Sequence, residues 1–258
     1  MFHLPLWSAF ADAAADPRFA YALGIATLAG LVRGFSGFGS ALIYMPLISA
    51  IYSPAVAAPT ILLIDTLCGL PFAIHAWPQA NRREVLPVAV GGVVGVPLGV
   101  LALVYVSPLS LRWFIAGLVL IAVAVLAAGW RYHGKPTVPA ALGVGALSGF
   151  GAGAVQIGAP PLLVFWLGGK NSAATVRANI MVYFILQGTL SMLLYLYSGL
   201  FDAQTTVLSL MFGVPFALAM FAGAYWFHGS SDALYRRVAY LIIGFAGLAS
   251  LPLFDGLR

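Results

Sequence analysis

The sequence predicts an all-α polytopic membrane protein made of two homologous repeats. Three observations carry this: a scarcity of charge, a series of apolar stretches of bilayer-spanning length, and a glycine cluster in each half. Of 258 residues, 12 are Lys or Arg and 7 are Asp or Glu, so 7% are charged, against about 25% in a soluble domain. With 62% apolar residues and a mean hydropathy of +1.01, a soluble globule could not be wetted. A surface facing lipid removes the contradiction.

Other classes fall on the same grounds. The net charge of +5 is spread singly and in pairs between apolar stretches, with no basic stripe, so nucleic acid is not an expected partner. These charges read as loop charges that set orientation. Cys68 is the one cysteine and excludes a disulfide or thiol relay within the chain. No His/Glu metal spacing, paired carboxylates or phosphate-binding loop is present, so neither an enzyme nor a metal site is expected.

Residues 1–17 read as an N-terminal tail. They lack a basic start, and Asp12 and Asp16 follow a short apolar run, so a cleaved signal peptide is not expected. The first repeat is placed at 18–134 and the second at 135–258. Apolar stretches run from Phe19 to Tyr52, Ala55 to Trp77, Val85 to Val106, Leu111 to Trp130, Pro139 to Leu167, Ala173 to Tyr197, Thr205 to Phe227 and Leu234 to Leu253. Most match the roughly 20 residues of a spanning helix. Trp77, Trp113, Trp130, Trp166 and Trp226 fall near their ends, where aromatic rings favour the headgroup layer.

The first and fifth stretches each contain a glycine cluster followed by proline: Gly34 to Gly39 before Pro46, and Gly149 to Gly153 before Pro160 and Pro161. Glycine and proline together interrupt a helix. Aligning Gly34 with Gly149 and Gly99 with Gly223 gives two copies of one unit, each a broken helix followed by three spanning helices. If the breaks are tips of re-entrant hairpins, Arg82, Arg83, Arg131, Lys135, Lys170, Arg236 and Arg237 share one side, opposite Arg18, Arg112 and Arg258. That asymmetry fits the positive-inside rule and makes the two repeats inverted. The alternative, kinked helices that span, leaves almost no charge bias.

Irregular backbone inside a bilayer is tolerated where protein buries it or where it lines a cavity. The two breaks therefore mark a candidate site, with half-helices starting near Ser40 and Gln156. Their N–H groups, at Gly39, Ser40 and Ala41 and at Ala154, Val155 and Gln156, favour an anion. Free carbonyls ending the preceding half-helices would suit a cation, so coupling to H⁺ or Na⁺ stays open. Three ionisable residues lie at membrane depth: Arg33, Asp65 and Arg177. Arg33 reads as a substrate guanidinium or as half of a structural ion pair with Asp65. Asp65 reads as a proton-coupling carboxylate or counter-ion, and Arg177 as a gate or a side chain reaching the interface. The candidate substrate-binding set is Arg33, Ser36, Gly37, Gly39, Ser40, Gly151, Gly153, Gln156, Arg177 and Asn179. Thr60 and Gln187 are further polar candidates, though helix-to-helix hydrogen bonding is the commoner use of such residues.

The run Gly34-Phe-Ser-Gly-Phe-Gly-Ser-Ala-Leu-Ile-Tyr-Met-Pro-Leu47, its counterpart from Gly149 to Leu163, and Gly95-Val-Pro-Leu-Gly99 followed by Ser107 to Arg112 resemble the TauE/SafE, or sulfite exporter, family. The resemblance covers nearly the whole chain. It implies a permease of the bacterial inner membrane for sulfite, a sulfonate such as sulfoacetate, or a related small organic anion. A lone Cys68 is a poor match to the thiosulfate transporters with essential cysteines. The expected partners are a small anion and the lipid bilayer, and a homodimer is compatible with the sequence. An anion channel and a non-transporting membrane anchor are the other readings, and no cofactor beyond the coupling ion is expected.

Overall fold

The computed structural model describes residues 6–36, 39–130, 132, 137–168, 171–226 and 232–253. Eleven α-helices and a short 3-10 turn, with no strand, occupy these residues. A ten-residue helix, α1 (Leu6–Ala15), lies within the N-terminal tail. The rest are α2 (Phe19–Ser36), α3 (Ser40–Ile51), α4 (Pro54–Ala76), α5 (Arg82–Tyr105), α6 (Pro108–Ala127), α7 (Val138–Val155), α8 (Ala159–Leu167), α9 (Ala173–Tyr197), α10 (Ala203–Trp226) and α11 (Asp232–Ala249). Among the described residues six helices, α4, α5, α6, α7, α9 and α10, are long and apolar enough to cross a membrane. The protein is a multi-pass membrane protein, as its composition requires.

Both broken helices are hairpins. At the start of α2, Arg18 donates from Nη1 to the Ile51 carbonyl at the end of α3, 3.2 Å away, and its guanidinium lies over the Tyr52 ring. Asp16 orients that arginine through hydrogen bonds, which hold the Asp16 carboxyl below the ordinary carboxylate range. In the second half, the Tyr132 N–H before α7 donates to the Val164 carbonyl of α8 at 3.0 Å. In each case the chain returns to the end from which it started. The tip of the first hairpin turns at Gly39, whose φ of 96° is open to glycine and strained for other residues. The second is held by Ser148, whose hydroxyl donates to the Gly158 carbonyl at 2.7 Å.

The hairpins are clothed by the opposite half. α7 packs along α5, and α2 along α10, with backbones so close that only glycine fits between them. A Cβ at Gly91, Gly95 or Gly99 would overlap the backbone of α7 at Leu142, Ala146 or Phe150, and one at Gly34 would overlap the Met220 carbonyl. These contacts correct the repeat register. Gly34 faces Met220 and Gly153 faces the equivalent Val96, so Gly34 corresponds to Gly153, one helical turn beyond Gly149. The helix starts agree, with Phe19 and Val138, Ser40 and Ala159, and Pro54 and Ala173 all 119 positions apart. The slip arises because small residues recur every fourth position, at Gly145, Gly149 and Gly153, and a stripe with that spacing matches itself after one turn. The pairing of Gly99 with Gly223 stands, since they face Phe150 and Leu31, also 119 apart.

Of the tryptophans expected at interfaces, Trp77, Trp113 and Trp130 are exposed. Trp166 is not. It is buried, edge-on to Tyr183, because α8 is the inner arm of its hairpin. The side chains of Trp226, Arg236 and Arg237, and all of Arg131, Lys135, Lys170 and Arg258, lie outside the described residues.

Candidate functional site

The two hairpin tips meet across a cavity of about 100 Å³ whose other walls are α4 and α9, with Met220 of α10 closing one side. The first hairpin contributes Arg33, Gly34, Gly39 and Ser40, and the second Ala152, Gln156, Gly158 and Ala159. From the tips the cavity follows the last turns of α4 past Phe72 and the first turns of α9 past Met181, reaching the exposed Arg177. On the far side Tyr44 and Tyr195 are fully buried. It is a one-ended cavity, and its open end is the one that carries Arg82 and Arg83 at the start of α5.

Arg33 and Asp65 face each other within it. Arg33 Nε is 3.4 Å from Asp65 Oδ1, longer than the 2.7–2.9 Å of a tight charge-assisted bond. Ser40, the first residue of α3, donates from its hydroxyl to Asp65 Oδ2 at 2.8 Å. The side chains remain 13% and 25% exposed, so cavity water reaches a pair that a fully packed interior would have sealed. Ser40 and Ala41 also bring the first-turn N–H groups of α3 to the wall, where no intrahelical carbonyl can satisfy them.

The second tip differs from expectation. Gln156 does not start a half-helix. It caps α7 in the left-handed conformation, φ 55° and ψ 18°, its N–H bonded to the Ala152 carbonyl. α8 begins three residues later at Ala159, and Pro160 and Pro161 follow. Proline has no N–H, so this tip presents few backbone donors. What it presents is the Gln156 carboxamide, whose Nε2 donates to the Tyr195 hydroxyl at 3.1 Å while that hydroxyl donates to the Gly153 carbonyl at 2.7 Å. Anion-binding backbone is thus concentrated in the first hairpin.

The other candidates divide. Arg33, Gly39, Ser40, Asp65, Gln156 and Arg177 line the cavity. Gly151 and Gly153 do not, because close packing uses them. A Cβ at Gly151 would overlap the Ile157 carbonyl inside the hairpin turn, and one at Gly153 the Val96 carbonyl of α5. Asn179 is fully buried near the open end, where its Oδ1 accepts from the Asn81 N–H at 2.7 Å. It ties α9 to the start of α5, beside a second link in which Asn171 Nδ2 donates to Glu84. Thr60 is likewise internal, accepting from the Tyr44 hydroxyl. Gly37 and the Ser36 side chain lie outside the described residues. Sequence reasoning missed Thr66 and Ser191 as cavity residues. Ser191 and Gln187, one turn apart on α9, are both buried there, and the Ser191 hydroxyl and Gln187 Oε1 have no protein hydrogen-bond partner. Among the described residues no group of three metal-ligating side chains occurs.

Fold and cavity together define a multi-pass helical membrane protein with a polar site at two hairpin tips, an architecture found among membrane transporters. The chain belongs to the TauE/SafE family: the family model for the sulfite exporter TauE/SafE matches residues 22–250. That makes it an anion transporter of the sulfite-exporter type. No curated protein and no solved structure matches the chain.

Proposed function

We propose that this protein carries a small oxyanion, either sulfite, a sulfonate such as sulfoacetate, or a related organic anion, across the bacterial inner membrane by alternating access. The supporting observation is the one-ended cavity at the hairpin tips, with Arg33, Ser40 and the first turn of α3 at its base. Arg33 pairs with the anion, Ser40 and Gln156 donate hydrogen bonds, and Arg177 draws the anion in at the mouth. The closed side behind Tyr44 and Tyr195 favours a carrier over a channel, which would need an open path. Because the mouth shares its end with Arg82 and Arg83, this conformation faces the cytoplasm under the positive-inside rule.

The test is exchange in proteoliposomes loaded with unlabelled anion, using labelled sulfite, sulfoacetate and acetate outside and protein-free liposomes as baseline. A carrier accelerates entry of label when the same anion is present inside, and a channel does not. The variant Arg33→Gln is expected to lose exchange while inserting in the membrane normally. Exchange at the wild-type rate in that variant would remove Arg33 from the site, and an absence of flux for every anion would favour a membrane anchor.

A further inference from the structure

We infer that in the empty protein the Asp65 carboxylate sits in the place of the transported anion, and that loading the anion drives a proton onto Asp65, so that one anion and one proton cross together. This rests on the carrier reading and names its coupling ion. Carboxylate and substrate share their donors. Asp65 takes the Ser40 hydroxyl on Oδ2 and faces the Arg33 guanidinium with Oδ1. These are the groups that an incoming oxyanion would meet at the cavity base, and a carboxylate engages them with a negative charge and similarly spaced oxygens, as a single sulfonate group or a hydrogen sulfite ion would. The two anions compete for one seat.

Charge balance sets the outcome of that competition. Empty, the base holds one guanidinium and one carboxylate. If an anion displaced Asp65 and both stayed ionised, two negative groups would share one arginine in a poorly hydrated space, and each would favour protonation of the weaker acid. A sulfonate stays ionised, so the proton goes to Asp65. The geometry has room for it: Oδ1 is buried and takes no hydrogen bond, so a proton added there breaks no hydrogen bond, while the anion takes over the Arg33 ion pair and the Ser40 hydroxyl.

The surrounding charges do not replace that proton. Arg33 comes from α2 and Cys68 lies one turn along α4, while α3 presents Ser40 and α10 presents Met220. α9 brings the neutral Gln187 and Ser191, together with Arg177, which is exposed at the mouth and screened by water. A sodium ion in the same role would stand beside the Arg33 guanidinium as a second cation. A proton merges with the carboxylate and adds no separate charge.

The experiment uses the full chain in liposomes containing a trapped pH dye, with the membrane potential held at zero by potassium and valinomycin. Inward gradients of sulfoacetate and of sulfite are imposed in turn, each corrected for protein-free leak. The expected result is lumen acidification at about one proton per labelled anion. An imposed inward proton gradient should then accumulate the anion, Asp65→Asn should reduce that accumulation at least about tenfold, and Asp65→Glu should restore part of it. Anion entry by the wild type without proton entry overturns the inference and leaves the carrier reading standing. Undiminished proton-driven accumulation in Asp65→Asn also overturns it. If the wild type exchanges neither probe, the carrier reading fails and this inference falls with it.

Discussion

Asn179 shows how a polar side chain in an apolar helix can tie two helices together. A buried amide in a transporter helix suggests a substrate contact, but its Oδ1 accepts the Asn81 N–H at the start of α5, a donor that would otherwise be unsatisfied. Asn179→Ala is therefore expected to destabilise the protein by about 1–3 kcal/mol and leave the apparent affinity for the anion unchanged. Thermal unfolding in detergent and the KM of exchange measure the two effects, and a raised KM at unchanged stability would return Asn179 to the site. Arg33 and Asp65 were legible in the sequence because a charge in an apolar stretch is rare and costly. Ser191 and Thr66 were not, since hydroxyl residues are ordinary in membrane helices and only the fold shows which of them face a cavity.

At the level of elements, the glycines of α5 and α7 divide into two kinds. Gly95 lies under the Ala146 carbonyl, whereas Gly143, on another face of α7, has open space where a side chain would go. Gly95→Ala should force the helices apart and lower stability by about 1–3 kcal/mol, while Gly143→Ala should be neutral or stabilising by up to about 1 kcal/mol. Thermal midpoints of the two variants check this, and equal effects would mean that the close approach contributes nothing. The presence of a break in α2 and α3 was legible from Gly34 to Gly39. Its outcome, a reversal of direction, was indicated by the charge asymmetry of the loops, but the contacts that fix it were not. Reversal depends on Arg18 meeting Ile51, 33 positions away, and on Tyr132 meeting Val164, contacts that no local pattern encodes. The donor-poor second tip was legible in principle, because Pro160 and Pro161 are in plain view. Starting α8 at Gln156, three residues before its true beginning, hides their effect on the first turn.

For the whole molecule, the order of apolar stretches gave the boundaries of α4, α5, α6, α9 and α10 to within a few residues, since length and hydropathy suffice for a spanning helix. Hydropathy could not show that each hairpin would lodge against the other half. The hairpins fix which loops share a side: 77–81 and 171–172 on one, 106–107 and 198–202 on the other. Single cysteines placed in a Cys68→Ser background at Gln79 and Ala174 should react with an impermeant maleimide only after cells are opened. Those at Leu109 and Ser198 should react in intact cells once any outer barrier is permeabilised. Labelling of all four from one side would refute the arrangement.

The exchange of hairpins between halves also governs how such a chain can be made. As the polypeptide emerges, α5 waits for α7, which is made soon after. α2 waits much longer, because its companion α10 spans Ala203–Trp226 and follows α7, α8 and α9 in the chain. The first of the two hairpins is thus covered after the second, with its glycine face bare until α10 is made. A premature stop within the second half would strip the beginning of the chain of its neighbour. Two separately expressed halves, by contrast, carry complementary vacancies and need each other to become stable.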